Sequence, residues 1–170
     1  MAQEVMHQVW KKDGYFISMD PSLVPIPEVT AAFASPEMYW CKPLPAEVML
    51  QTLHNSLCFG VYKLPNTDIS SPIFVGLARL VTDEVTFAYL TDVYVDPKYQ
   101  GEGLGTWLVS CVQEVIEAMP YLRRTILLTG GWKRSVPFYK KILGMEVMET
   151  KAAEGLAIME AKGPGHPHFT

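Results

Sequence analysis

The segment that decides the fold lies near the middle of the chain and reads Asp92-Val-Tyr-Val-Asp-Pro-Lys-Tyr-Gln-Gly-Glu-Gly-Leu-Gly-Thr-Trp107. It begins as the end of a strand, continues as a glycine-rich loop and ends in the first turn of a helix. A helix start directs unpaired backbone N–H groups and the positive end of the helix dipole at one point. Glycines allow phosphates to approach that backbone closely. The segment therefore predicts a pyrophosphate-binding loop.

Two other nucleotide-binding motifs do not fit this loop. A dinucleotide fold requires G-x-G-x-x-G after the first strand and an acidic residue at the end of the next strand. Here Gly101-Glu-Gly-Leu-Gly105 follows several predicted strands, and the next strand ends at Thr129-Gly-Gly131. A P-loop requires a lysine before its Ser or Thr, and Gly105-Thr106 lacks it. The sequence excludes both motifs.

Strands and helices are predicted on both sides of the loop. Leu104 to Met119 form a helix, because apolar residues recur every three or four positions and give it one buried face. Asp13-Gly14 favours a tight hairpin turn between the first two strands. Runs of β-branched and aromatic residues predict strands at 7–10, 15–18, 57–64, 74–81, 87–95 and 124–129, the fifth of them central in an antiparallel meander.

Shorter helices are predicted at 28–33, 46–54 and 135–143. In the last of these, Ser135 is expected to cap the start and Gly144 to follow the end. A final hairpin is predicted from strands at 145–150 and 155–161.

Composition limits the function classes. The 170 residues predict one domain over 1–163, with a flexible tail at 164–170 whose histidines indicate a frayed end rather than a metal site. A formal net charge of -4 argues against nucleic-acid binding. Three cysteines without a C-x-x-C pair indicate reduced, buried thiols and no metal. Without a signal peptide or a long apolar run, we expect no membrane partner and a cytoplasmic protein, with the nucleus also allowed.

The central segment also contains Gln-x-x-Gly-x-Gly, formed by Gln100, Gly103 and Gly105, after Asp-Val-Tyr-Val-x-Pro. It resembles the acetyl-CoA-binding motif of the GNAT superfamily of N-acetyltransferases. The resemblance covers most of the chain, because Phe138-Tyr139 and Gly144-Met145 follow in the family's order. It implies an α/β (α+β) fold with a mixed, mainly antiparallel sheet and helices on both faces.

The resemblance also implies the site. Acetyl-CoA would enter a slot between the splayed strands at 87–95 and 124–129. Tyr139 would donate a proton to the leaving thiolate, which is a poor leaving group near neutral pH. The pantetheine arm would bind the backbone of Val93, Tyr94 and Val95, and the pyrophosphate the N–H groups of Gln100, Gly101, Glu102, Gly103, Leu104, Gly105 and Thr106.

The acceptor amine must be neutral to attack. For an alkylamine with a pKa of about 10.4, deprotonation at pH 7 costs about 4.6 kcal/mol. Many family members carry a glutamate at the position of Thr91, so the base is not evident here. Asp92 is the nearest carboxylate, and its interpretation stays open between a base, a water-positioning group, an amine anchor and a structural carboxylate.

Other residues are candidates for the acceptor side. Tyr39 and Trp40 either line the acceptor pocket or belong to the core. Thr91 and Thr129 are expected to contact the acceptor. The loop at 130–134 shapes the acceptor mouth, places basic groups near the CoA phosphates, or is plain surface.

The expected activity is acetyl transfer from acetyl-CoA to a primary amine by direct attack in a ternary complex. A small-molecule acceptor is favoured, and peptide or protein acetylation is the alternative enzyme activity. A non-catalytic acyl-CoA sensor is the alternative from another class. Turnover separates enzyme from sensor, and acceptor size separates the two enzymes. The oligomeric state stays open, with a homodimer among those allowed.

Overall fold

The computed structural model describes residues 8–64, 71–148, 159 and 161. In this part of the chain, six strands form one sheet in sequential order, antiparallel throughout except for the parallel pair β5 and β6. The mixed, mainly antiparallel sheet expected from the sequence is confirmed. The strands are β1 (Val9–Lys12), β2 (Tyr15–Ser18), β3 (Leu57–Lys63), β4 (Ile73–Thr82), β5 (Phe87–Val95) and β6 (Arg124–Ile126).

The described residues also form four α-helices, with short 3-10 turns at Pro21–Leu23, Pro36–Met38 and Pro97–Tyr99. None of the helices among the described residues combines the length and the apolar character that a membrane span needs. The helices are α1 (Ile26–Phe33), α2 (Ala46–His54), α3 (Leu104–Glu117) and α4 (Ser135–Leu143).

The sheet is covered on both faces, because its two sides bury separate cores. Cys58 and Phe59 are neighbours in β3, so their side chains point to opposite faces. Phe59 lies in the core under α3, which we call the first core, and Cys58 lies in the core formed with α1 and α2, the second core. The expected placement of helices on both faces is confirmed.

The apolar stripe predicted for the long helix is also confirmed. Leu108, Val112 and Val115 of α3 are buried in the first core, and their spacing places them on one helical face. This packing fixes the start of α3 at the end of β5. The glycine loop is thereby held between two rigid elements.

Some boundaries differ from the sequence prediction. β1 runs from Val9 to Lys12 rather than over 7–10, because Asp13 (φ 48°) and Gly14 (φ 80°) form a two-residue turn that pairs Lys12 directly with Tyr15. Ser135 is the first residue of α4 and not its cap, since Arg134 takes the cap position without a side-chain hydrogen bond. Gly144 ends this helix with a φ of 62°, as predicted.

The last strand also differs from the prediction. β6 ends at Ile126 instead of 129, because its pairing with β5 stops there. Residues 145–148 form no regular structure. The rest of the predicted hairpin, apart from 159 and 161, and the tail at 164–170 lie outside the described residues.

Candidate active site

The site begins at an irregularity between β4 and β5. Leu77 of β4 pairs with Tyr94 of β5. The next pair joins Arg79 of β4 to Thr91 of β5. Arg79 is two residues after Leu77, whereas Thr91 is three residues before Tyr94. β5 therefore has one residue more than β4 in this interval, which defines a β-bulge. Asp92 lies in the bulge with a φ of 51°, a left-handed conformation that aspartate adopts more readily than most residues.

β5 and β6 separate beyond their first three residue pairs. Pairing covers Phe87 to Tyr89 of β5 and ends at Ile126 of β6. On that side, the β5 backbone from 90 to 95 has no partner strand among the described residues. Val93, Tyr94 and Val95 therefore border a gap inside the sheet, where the family resemblance places the pantetheine arm.

The glycine loop closes one end of this gap. Gly101 (φ 89°) and Gly103 (φ 79°) have left-handed backbones, and a Cβ added at either would meet no atom within 4 Å. In the described part of the chain, the N–H groups of 101–106 have no hydrogen-bond acceptor, as expected at a helix start. These open donors fit a pyrophosphate.

Gln100 differs from the rest of the loop. Its backbone N–H donates to the Pro97 carbonyl at 3.3 Å, and its side-chain Nε2 donates to the Val95 carbonyl at 2.9 Å. Gln100 thus ties the loop to the end of β5. The Gln100 N–H is thus already paired, unlike the N–H groups of 101–106.

Residues distant in sequence support the loop from β2 and β3. The Tyr15 hydroxyl donates to Glu102 Oε2 at 2.8 Å, and this hydrogen bond, with burial, raises the pKa of Tyr15 to about 12. Lys63 Nζ lies 5.7 Å from the ring centre of Tyr15 and 5.4 Å from that of Tyr99. The Lys63 ammonium group therefore lies next to the loop, and the Tyr15 hydroxyl fixes the Glu102 carboxylate. Tyr15 and Lys63 were not predicted as part of this region, because no local sequence pattern links them to the loop.

Tyr139 lies on α4 and packs against the first core, on the same face of the sheet as α3. Burial raises its pKa to about 12, so the phenol stays protonated at neutral pH. Among the residues described, its hydroxyl has no hydrogen-bond partner, which leaves the proton available to a ligand. This arrangement fits a proton donor.

Asp92 is buried, with 5% of its surface exposed, and is an ion-pair partner rather than a free carboxylate. Arg79 Nε donates to its Oδ2 at 2.7 Å. Its Oδ1 accepts from Trp40 Nε1 at 3.1 Å and from the Thr91 hydroxyl at 3.4 Å. Arg79 was not predicted as a site residue, because the strand around Asp92 is otherwise uncharged and the arginine comes from the neighbouring strand.

The aromatic pair predicted for the acceptor side lies at the surface. Tyr39 is 65% exposed and Trp40 is 37% exposed, and their rings make an edge contact with centres 5.1 Å apart. The Tyr39 hydroxyl lies beside Gly130, where an added methyl group would be 3.7 Å away. The pair therefore reaches from the bulge to the loop after β6, which favours the lining interpretation over the core interpretation.

Thr129 is partly buried, and its hydroxyl accepts a hydrogen bond from the Gly131 N–H at 3.0 Å. It shapes the loop that contacts Tyr39. Thr129 and Tyr139 also line a cavity of about 600 Å³ along β6. One wall of this cavity is Met159, whose neighbours in sequence lie outside the described residues.

The ion pair at the bulge should be measurable in the stability of the fold. Arg79→Gln leaves the Asp92 carboxylate buried without its cation, so we expect the free energy of unfolding to fall by about 3 kcal/mol. The double variant R79Q/D92N removes both charges and should be more stable than Arg79→Gln alone. Urea denaturation of the wild type, the two single variants and the double variant measures the coupling. Additive effects would contradict the pairing.

Comparisons with known proteins agree with this geometry. The family model described as Acetyltransferase (GNAT) family matches residues 28–145. A Gibberella zeae protein named, provisionally, as an acetyltransferase is 35% identical over 95% of this chain and 96% of its own length. The chain therefore belongs to the GNAT family of acetyltransferases.

Solved structures show the same fold. A GNAT-family protein of Xanthomonas campestris pv. campestris is 28% identical, covers 86% of this chain and 95% of its own, and superimposes with a TM-score of 0.61. A GNAT-family acetyltransferase of Elizabethkingia anophelis, solved with acetyl-CoA bound, is 18% identical, covers 81% of this chain and 80% of its own, and gives a TM-score of 0.55. The second likeness concerns the fold alone.

Proposed function

We propose that this protein is an N-acetyltransferase that moves the acetyl group of acetyl-CoA to a primary amine of a small molecule, by direct attack in a ternary complex. The observation that carries the proposal is the gap between β5 and β6, which has open N–H donors at one end and Tyr139 on the adjoining helix. The acetyl-CoA bound by the Elizabethkingia protein of the same fold supports this choice of acetyl donor.

In this proposal, backbone groups bind acetyl-CoA and Tyr139 transfers a proton. When bound, acetyl-CoA supplies an acetyl group activated as a thioester. The N–H groups of 101–106 hold the pyrophosphate, and the unpaired β5 backbone orients the arm that carries the thioester. Tyr139 gives its proton to the sulfur as the C–S bond breaks and the N–C bond forms. The nitrogen loses one proton to solvent and the Tyr139 phenolate takes one back from solvent, so the products are an N-acetyl amine and a thiol.

Asp92 acts in this scheme as a positioning residue. Both of its oxygens are engaged, one by Arg79 and the other by Trp40 and Thr91. It therefore fixes the bulge and the aromatic wall beside the acceptor, and the amine arrives neutral from solvent.

The pH dependence tests the role of Asp92. If no protein group takes the amine proton, kcat/KM on an alkylamine should rise about tenfold per pH unit until the pKa of the free amine, about 10.4. Asp92→Asn should keep this slope, although its absolute rate falls. Initial rates from pH 6.5 to 9.5 give the profile, and Thr91→Val serves as a neighbouring control. A wild-type plateau near neutral pH that disappears in Asp92→Asn would assign the base to Asp92.

Thiol release from acetyl-CoA, measured against polyamines, arylalkylamines, amino acids and peptides, tests the proposal as a whole. Release with small amines supports it. Release with peptides alone would favour peptide or protein acetylation. Stabilisation of the fold by acetyl-CoA without release from any acceptor would favour a sensor.

A further inference from the structure

Arg79 uses only part of its hydrogen-bonding capacity. A guanidinium has five N–H donors in a planar fork. One of them, Nε–H, bonds to Asp92, while the four on the Nη atoms have no acceptor within the described residues. The side chain keeps 17% of its surface exposed. Arg79 thus keeps unused donors on a side chain that is not fully buried.

The strand register shows which face this guanidinium occupies. Arg79 pairs directly with Cys58 on one side and with Thr91 on the other. Directly paired residues place their side chains on the same face of a sheet, and Cys58 belongs to the second core. Arg79 therefore faces the side of α1 and α2, opposite α3 and the phosphate loop. Its free donors do not serve the pyrophosphate.

The same register places Arg79 one strand away from the reacting centre. Thr91 lies two residues beyond Tyr89, where the pairing of β5 with β6 ends and the gap opens. Directly opposed residues in neighbouring strands have Cβ atoms about 4.5–5.5 Å apart. The guanidinium and the Thr91 hydroxyl also bond to the same Asp92 carboxylate, so a group held by Arg79 would lie close to an amine that attacks beside Thr91.

The charges of Asp92 and Arg79 indicate which chemical group of an acceptor would bind here. The charge of Asp92 is already paired with the Arg79 guanidinium, which repels a second cation, so this carboxylate is a poor anchor for an ammonium group. The unused donors belong to a guanidinium, whose parallel N–H bonds match a carboxylate. The exposed rings of Tyr39 and Trp40 supply an apolar wall next to it.

We propose that Arg79 binds a carboxylate of the acceptor and that the acceptor is a short amino acid, with its amine directed to the gap beside Thr91. This inference rests on the proposed function and names its substrate class. The ion pair then has two roles, because Asp92 orients the guanidinium through Nε and leaves the Nη atoms to the substrate.

Matched substrates test the proposal in the full-length protein. Glycine and β-alanine are compared with glycinamide and β-alaninamide by thiol release from acetyl-CoA, with rates referred to the concentration of neutral amine. We expect kcat/KM for at least one acid to exceed that of its amide by about 10- to 150-fold, the range for a hydrogen bond to a charged group. The preference should come mainly from KM.

Variants separate binding by Arg79 from its structural role. Arg79→Lys keeps the charge and loses the fork, and R79Q/D92N removes the pair without leaving a buried charge. The acid-to-amide ratio should fall toward one in both. Arg123→Gln, at an exposed arginine before β6, should leave the ratio unchanged. A loss of stability alone would lower both rates and not their ratio.

Other outcomes overturn the proposal. Equal rates for acids and amides, or a preference retained in both variants, would overturn it while the proposed acetyl transfer stands. Faster reaction of 2-aminoethylphosphonate than of β-alanine would assign a phosphate-type acceptor instead. Absence of thiol release with every amine would overturn the proposed function and this inference with it.

Discussion

Tyr139→Phe is expected to lower kcat by about 10²–10⁴-fold, the range for a positioned general acid, while acetyl-CoA binding stays nearly normal. The ring packs against the first core in either case, so the variant removes only the hydroxyl. Because burial raises the pKa of Tyr139 to about 12, we expect the phenol to be protonated throughout the pH range from 6.5 to 9.5 used for the rate measurements. Steady-state thiol release and a thermal shift with acetyl-CoA give the two quantities.

A matched control for this variant is Tyr121→Phe, since Tyr121 is 74% exposed and lies in the turn before β6. It should leave both kcat and binding unchanged. Unchanged kcat in Tyr139→Phe would make Tyr139 a packing residue of α4. An equal loss in both variants would point to a general effect on the C-terminal part of the fold.

Gly103→Val should abolish the response to acetyl-CoA. A ligand at 100 times its Kd stabilises the folded state by about 2.7 kcal/mol, and we expect this increment in the wild type and not in the variant. At a φ of 79° a valine is strained, and its side chain would fill space that is open to the phosphates. Thermal unfolding with and without acetyl-CoA measures the increment.

Gly14→Val separates backbone strain from loss of the site. Gly14 has a φ of 80° and equally open surroundings, but it lies in the β1–β2 turn. Both variants should lower the stability of the free protein, and only Gly103→Val should lose the increment. Stabilisation by NAD in the wild type, or by acetyl-CoA in Gly103→Val, would contradict the assignment of the loop.

Local patterns predicted much of this molecule. The three- and four-residue spacing of α3, the alternation of the strands and the glycine loop are each contained in a short window of sequence, and each appears in the structure. The extent of β6 was not predictable, because Leu127 and Thr129 favour a strand while the divergence from β5 depends on the whole sheet.

The contacts of the candidate site could be predicted from the sequence less completely than the fold could. Arg79 reaches Asp92 only because β4 and β5 pair in one register, and the bulge that turns Asp92 has no glycine to mark it. The hydrogen bond from Tyr15 to Glu102 joins residues 87 positions apart. Such contacts depend on strand register, which hydrophobic alternation alone does not specify to the residue.

Among the described residues, the pairing of β5 with β6 is short, so β6 and α4 have only a limited connection to the rest of the sheet. β1 to β5 form a continuous antiparallel meander, whereas β6 and α4 are joined to it through three residue pairs and through helix packing against α3. The glycine loop follows β5 and the Pro97–Tyr99 turn, whereas Tyr139 lies on α4. We therefore expect a ligand that contacts both the glycine loop and Tyr139 to make local unfolding of β6 and α4 less favourable.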